Sequence, residues 1–460
     1  PRPARFLERK RGKELYCQIR QCLIWDFPEL KCFLRKTQFC GKRVKGRCPL
    51  RRFGGRASKV FRNERRDNMS FETMKQQDET YVAHTYNRFP VLLDHGSGAV
   101  CYDETGKAYI DFTSGIGVNA LGFADAGWVD AVTAQLGKLQ HISNLYYTAP
   151  CIEAAKLLCE KSGMKKVFFG NSGAEANEGV IKAARKYSFL KYGKEKKRST
   201  ILALENSFHG RTMASLSATG QPVYHNYFFP FVEGFAFAKA NDLQGTLDKL
   251  TEDVCAVMME MVQGEGGVLP LEQDYVQAVY QACREKDILF IVDEVQTGIG
   301  RTGTFFSYQQ FGIVPDLVSC AKGLGGGLPI GAVLFGEKTQ DTLVAGDHGS
   351  TFGGNPVVCA GAVEILSRMD GAFLAEVAEK GRYLREETEK MPHVQSVAGM
   401  GMMLGIALDT ESKPIISRLL EKGLMVLSAK EKIRLLPPLT ITREELKQGL
   451  AILRETLENI

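Results

Sequence analysis

Apolar and polar positions settle into a regular rhythm only from about residue 100 onward. "KKVFFG" (165–170) reads as a strand, and the "NSGAEANEGVIKAARKYSFLKYG" after it as a helix opening at Ser172. "TILALE" (200–205) and "CAVMMEMV" (255–262) read as further strands. In "DYVQAVYQACREKD" (274–287), Val276, Val279, Tyr280 and Cys283 fall on one helical face. "ILFIVDE" (288–294) is apolar until its acidic end, as a parallel strand covered on both faces should be. "LVSCA" and "GAVLFG" follow as two more short buried strands. Such alternation predicts an α/β fold with a doubly wound, mainly parallel sheet.

The texture changes after about residue 350. Helices are expected near 357–369 and 373–390, strands near 394–409, 424–429 and 432–436, and a final helix at 442–459. This suggests a smaller α+β unit at 346–460, a large domain at 116–345, and a segment at 69–115 packing with the smaller unit. No apolar run approaches the ~20 residues that span a bilayer, and no fixed repeat is visible.

Charge divides the chain differently. Residues 1–68 hold 21 Lys plus Arg against 6 Asp plus Glu, leaving 38 basic and 47 acidic residues in the rest. A nucleic-acid-binding role would therefore have to reside in 1–68, which lacks the interleaved aromatics of such surfaces. That segment also carries Cys17, Cys22, Cys32, Cys40 and Cys48, with no CxxC pair to suggest zinc. It is too acidic for a simple transit peptide and has no apolar signal core. We read it as an extension outside the fold, with a start at Met69. The other seven cysteines are scattered singly in apolar settings, like the reduced core thiols of a cytoplasmic protein.

Ligands collect at the carboxyl ends of parallel strands, and three such ends stand out. After "VFFG" comes the small-residue turn Asn171, Ser172, Gly173, Ala174, feeding a helix N-terminus able to hold a phosphate. The same residues could be a plain capping box from Ser172 to Glu175. After "ILFIV" come Asp293, Glu294, Val295 and Gln296, and after "LVSCA" comes Lys322, set against a run of glycines. "GIGRTG" has dinucleotide-fingerprint spacing, but it does not follow its strand directly or open a clear helix. A phosphate cradle, a carboxylate and a lysine are what pyridoxal phosphate requires: the lysine attaches it, and the carboxylate keeps its ring nitrogen protonated.

The motifs "FFGNSGAEANEGVIKAARKY", "SFHGRT", "QGEGGV", "DEVQTGIGRTG", "SCAKGLGGGLPIGAV" and "HGSTFGGNPVVCAGAVEI" run in order through residues 69–460. This stretch resembles the class III (subgroup II) pyridoxal-phosphate aminotransferases of fold type I. The resemblance implies that Lys322 would carry the cofactor. Ser172, Gly173 and Ala174 would bind its phosphate, and Phe208 would stack on its ring. Asp293 would face the ring nitrogen, and Gln296 the ring hydroxyl, with Glu294 and Val295 in the same loop. Thr351 would reach the phosphate from a neighbouring subunit, implying a homodimer, with "SNLYYTAP" (143–150) at the interface. Arg211 and Ser350 would contact the substrate. His209 reads as a structural neighbour of Phe208.

Arg434 is a cation inside the apolar strand "KIRLLPPL", which argues for a fixed partner. A structural salt bridge is one reading. The resemblance supplies another, in which Glu265 neutralises Arg434 while an ω-amine reacts, then swings aside to let it grip a dicarboxylate. The implied reaction is transfer of the δ-amino group of N2-acetylornithine to 2-oxoglutarate. Ornithine, 4-aminobutyrate, succinylornithine and succinyl-diaminopimelate remain alternative amino donors.

Overall fold

The computed structural model describes residues 70–460, so the expected extension and the start at Met69 lie outside the described residues. A seven-stranded sheet organises the fold. Its strands are β1 (Lys166–Gly170), β2 (Thr200–Leu204), β3 (Phe235–Ala238), β4 (Val254–Met259), β5 (Leu289–Asp293), β6 (Leu317–Cys320) and β7 (Gly331–Phe335). In space they run β1-β7-β6-β5-β4-β2-β3. β2 to β6 are mutually parallel where they pair. β7 is the exception, antiparallel to both β6 and β1.

Both faces of the sheet are covered, which is why its strands read as continuous apolar runs. Leu289 and Ile291 of β5 pack with Ala176, Val180 and Ile181 of α1 (Gly173–Tyr192). The alternate residues Phe290 and Val292 pack with Val276, Val279 and Cys283 of α2 (Gln273–Glu285). The expected face of α2 is therefore buried, except that Tyr275 joins it while Tyr280 is only partly covered.

Several expected elements differ in detail. The strand read at 255–262 ends at Met259, and Val262–Gln263 instead pairs antiparallel with Leu269–Pro270. Glu260 interrupts it, because its carboxylate turns to the backbone N–H groups of Phe208 and Gly264. The region 394–409 is a hairpin, Val394–Met400 against Met403–Leu408, turning at Gly401 with φ +55°. The region 424–429 divides between two sheets. Leu424–Met425 runs parallel to Ala108–Asp111, and Leu427–Ala429 pairs with Lys432–Leu435. Helix Pro356–Arg368 lies against Ala126–Leu136 and Ala149–Ser162, and Arg368 holds the Asp125 carboxylate at 2.8 Å. A helix at Phe71–Tyr81, which no periodicity announced, buries none of its residues. Among the described residues no helix is long and apolar enough to cross a membrane.

Candidate active site

The carboxyl ends of β1, β5 and β6 open into one cavity of about 430 Å³, lined by Ser172, Gly173, Ala174, Asp293 and Lys322 among others. Three separate strand ends thus converge, as an open parallel sheet allows. At the first, Ser172 caps α1 by accepting the N–H of Glu175 at 3.1 Å. Glu175 does not complete a capping box; it accepts the N–H of Asn171 at 2.7 Å instead. A Cβ at position 173 would lie 2.7 Å from the Val295 side chain, so glycine lets the loop after β5 close on the helix N-terminus.

At the second, Asp293 is 3% exposed. Its Oδ2 accepts from Asn177 Nδ2 and from His209 Nδ1, each at 2.8 Å, and its Oδ1 from the N–H of Val295 at 2.9 Å. Burial by itself would lower the His209 imidazolium, but the hydrogen bond and charge of Asp293, helped by Glu260, raise it above its ordinary value.

At the third, Lys322 leaves β6 with φ +45°, a left-handed conformation that non-glycine residues adopt at a cost. Burial lowers its ammonium below the ordinary lysine range; the charge of Glu265 opposes this and that of Arg434 assists. An amine so placed gives up its proton more readily than an exposed lysine, which favours its use as a nucleophile.

Phe208 and Arg211 form the adjoining wall. The Arg211 guanidinium lies 4.0 Å over the Tyr224 ring, with Phe208 edge-on to the same ring at 5.7 Å. Beyond them, Arg434 Nη1 meets Glu265 Oε1 at 2.5 Å and Gln296 Oε1 at 3.2 Å. Burial raises the Glu265 carboxyl, but the charge and hydrogen bond of Arg434 outweigh it, and the net shift is downward. Arg434 is almost wholly covered, with its side chain 3% exposed, and Glu265 stands between it and the cavity space.

Chemically, the donors suit pyridoxal phosphate: unspent N–H groups at a helix start for the phosphate, a buried carboxylate backed by an imidazole, and a desolvated amine. A sequence profile of the aminotransferase class-III family matches residues 81–457. The chain belongs to the class-III aminotransferases. It is 52% identical to the acetylornithine aminotransferase of Haemophilus ducreyi over 395 residues, 85% of this chain and 100% of that protein. The N-acetylornithine aminotransferase structure from Stenotrophomonas maltophilia matches with a TM-score of 0.72 and 34% identity over 84% of this chain and 98% of that one. The ornithine aminotransferase structure from Toxoplasma gondii matches with a TM-score of 0.81 and 29% identity, covering 85% and 96%. As a class-III aminotransferase the chain is a pyridoxal-phosphate-dependent transaminase.

Within this aminotransferase the cavity gathers Ser172, Gly173, Ala174, Phe208, Asp293, Val295, Gln296 and Lys322, with Arg211 and Glu265. Glu294 turns away: Thr297, Ser307 and the N–H of Tyr308 take up its carboxylate, and burial raises its pKa. Ser350 and Thr351 are not in the lining either. They border an adjoining depression, where Ser350 Oγ pairs with Asn171 Nδ2 at 3.0 Å. Two side chains that hydrogen-bond within the site, Asn177 and Glu260, were not singled out from sequence. Asn177 lies one turn into α1, and nothing in its neighbours along the chain set it apart. Glu260 did leave a signal, a lone acid within an apolar run.

Proposed function

We propose that this aminotransferase moves the δ-amino group of N2-acetylornithine to 2-oxoglutarate, giving N-acetylglutamate 5-semialdehyde and glutamate, as a cytoplasmic step in arginine biosynthesis. One observation carries the choice of donor. Every carboxylate lining the cavity, among the described residues, is already spent: Asp293 on His209 and Asn177, Glu265 on Arg434, and Glu260 on two backbone N–H groups. A free α-ammonium, as in ornithine, would find no counter-charge there. An acetylated α-amine carries none, and the α-carboxylate beside it can meet Arg211.

Pyridoxal phosphate, when bound, supplies an electron sink for the pair left behind when the carbon bearing the amine loses its proton. The protein's own groups do the rest. Ser172, Gly173 and Ala174 offer N–H and hydroxyl donors for a phosphate. Asp293, hydrogen-bonded by His209 and Asn177, would face the ring nitrogen, Gln296 would approach the ring hydroxyl with Val295 beside it, and Phe208 would cover a ring face. Lys322 would hold the cofactor, and its amine, when free, would serve as the general base that moves the substrate proton. Arg434, shielded by Glu265 while the δ-amine reacts, is then exposed to grip a carboxylate of 2-oxoglutarate.

Leu145 and Tyr147 are 86% and 96% exposed, and Phe352 beside Thr351 is 60% exposed. A second copy of the chain covering these residues would bring its own Thr351 and Ser350 toward the phosphate and substrate. The homodimer with shared sites rests on that placement.

The deciding experiment compares kcat/KM for acetylornithine, ornithine, 4-aminobutyrate and succinyl-diaminopimelate, each with 2-oxoglutarate. Acetylornithine should lead. A larger value for ornithine would overturn the argument from spent carboxylates.

A further inference from the structure

Glu260 follows β4 directly and is 6% exposed. Its Oε1 accepts the backbone N–H of Phe208 at 2.9 Å, and its Oε2 accepts that of Gly264 at 3.2 Å. One carboxylate therefore ties the turn carrying Phe208 to the residue just before Glu265. Gln263 binds the same two loops a second time, its Nε2 donating to the Glu205 carbonyl at 2.8 Å. Gly266 presses against the first loop as well, since a Cβ there would lie 2.7 Å from the Asn206 carbonyl oxygen. Glu265 is flanked by Gly264 and Gly266, and Gly267 beyond them has φ +110°, a conformation that favours glycine.

Burying a carboxylate on neutral donors is costly, so the choice of residue carries information. A glutamine offers one acceptor oxygen and would point N–H donors at one of the two N–H groups. Only the carboxylate can accept from both. Any swing of Glu265 away from Arg434 must turn about a fixed point, and the Gly264 N–H is the last anchored group before it.

We propose that Glu260 is a positioning residue that anchors the Glu265 gate to the Phe208 turn, so that the gate and the ring-facing wall keep a common reference. This rests on reading Glu265 and Arg434 as a gate. Glu260 contacts neither substrate in this scheme and acts through Gly264 and Phe208.

The test uses the holoenzyme with Glu260→Gln, Glu265→Ala and the double variant, and with Glu260→Asp as a second single variant should Glu260→Gln fold poorly. Stopped-flow absorbance gives the rate constants of the acetylornithine and glutamate half-reactions separately. Glu265→Ala should lower the ratio of the first to the second. Glu260→Gln should move it the same way by about threefold or more, and the double variant should go no further than Glu265→Ala alone. Amide hydrogen exchange should meanwhile rise about tenfold in both 203–210 and 261–267. Equal losses in both half-reactions, or a ratio effect additive with Glu265→Ala, would reduce Glu260 to a support of the fold and overturn the inference. Faster exchange in only one segment would overturn the tie itself. An unchanged ratio in Glu265→Ala would overturn the gate reading and the inference with it. A shift there but none in Glu260→Gln overturns the inference alone.

Discussion

His209 Nδ1 lies 2.8 Å from Asp293 Oδ2, on the same oxygen that takes the Asn177 amide. Both donors thus converge on one oxygen of the carboxylate, and one of them is a ring whose positive form the site favours. A buried carboxylate that accepts from an imidazole and an amide has its hydrogen-bonding capacity met on that side, which offsets part of the cost of burying it.

His209→Gln should retain a hydrogen-bond donor and lose the charge. Turnover is expected to fall about tenfold, the equivalent of one pKa unit or ~1.4 kcal/mol. Steady-state kinetics with a pH titration of the cofactor's visible absorbance checks this. Wild-type values for both would mean that the ring serves only packing.

Lys322→Ala should abolish turnover while still binding pyridoxal phosphate non-covalently. Borohydride reduction of the wild-type holoenzyme, followed by peptide mapping, should label Lys322. A label on another lysine would sink the assignment.

The lowered pKa of Lys322 also has a stability signature. In the cofactor-free protein, the unfolded chain binds this proton up to about pH 10.4, while the folded one releases it earlier. The unfolded state therefore binds more protons between those two values, and stability rises with pH across that window. Lys322→Met removes the burden, so its Tm advantage over wild type should be widest at pH 7 and close toward pH 10. A gap that does not narrow with rising pH would contradict the lowered pKa.

Arg434→Ala should remove the proposed bidentate carboxylate clamp, an interaction of roughly 1.5–3 kcal/mol. The 2-oxoglutarate half-reaction should slow by about ten- to a hundredfold, and the acetylornithine half-reaction much less. Single-turnover spectroscopy of each half-reaction separates the two. Equal losses would show that Arg434 is structural.

What the amino-acid sequence revealed of this site tracks how local the cause is. Asp293 stood out because an acid ends a strand that is otherwise apolar, and Ser172 because an N-cap and its helix are neighbours in the chain. The direction of β7 was not legible, since a short apolar run looks alike whichever way it is threaded. Glu260 could not be placed because one of its partners, the N–H of Phe208, is 52 residues away. Glu294 looked like an arm of the site by adjacency, yet successive strand-end residues point to opposite sides, and its partners Ser307 and Tyr308 are outside the cavity lining. Helix Phe71–Tyr81 has no apolar stripe to announce it and forms on its Ser70 cap.

The reversed strand β7 has a consequence for how this enzyme can change. A parallel partner for β6 would have required a crossover of a dozen or more residues, normally a helix. Because β7 runs back instead, the chain returns from Lys322 to Gly331 through a short loop, and Gly327, Leu328 and Pro329 of that loop form part of the cavity wall. One side of the chamber is thus upholstered rather than framed: its contour can be recut by substitutions at Leu328 and Pro329, which belong to no strand, while Gly327, at φ +119°, must stay glycine. Gly331 marks where that freedom stops, since a Cβ there would meet the Ser172 carbonyl oxygen at 2.1 Å and push on the start of α1.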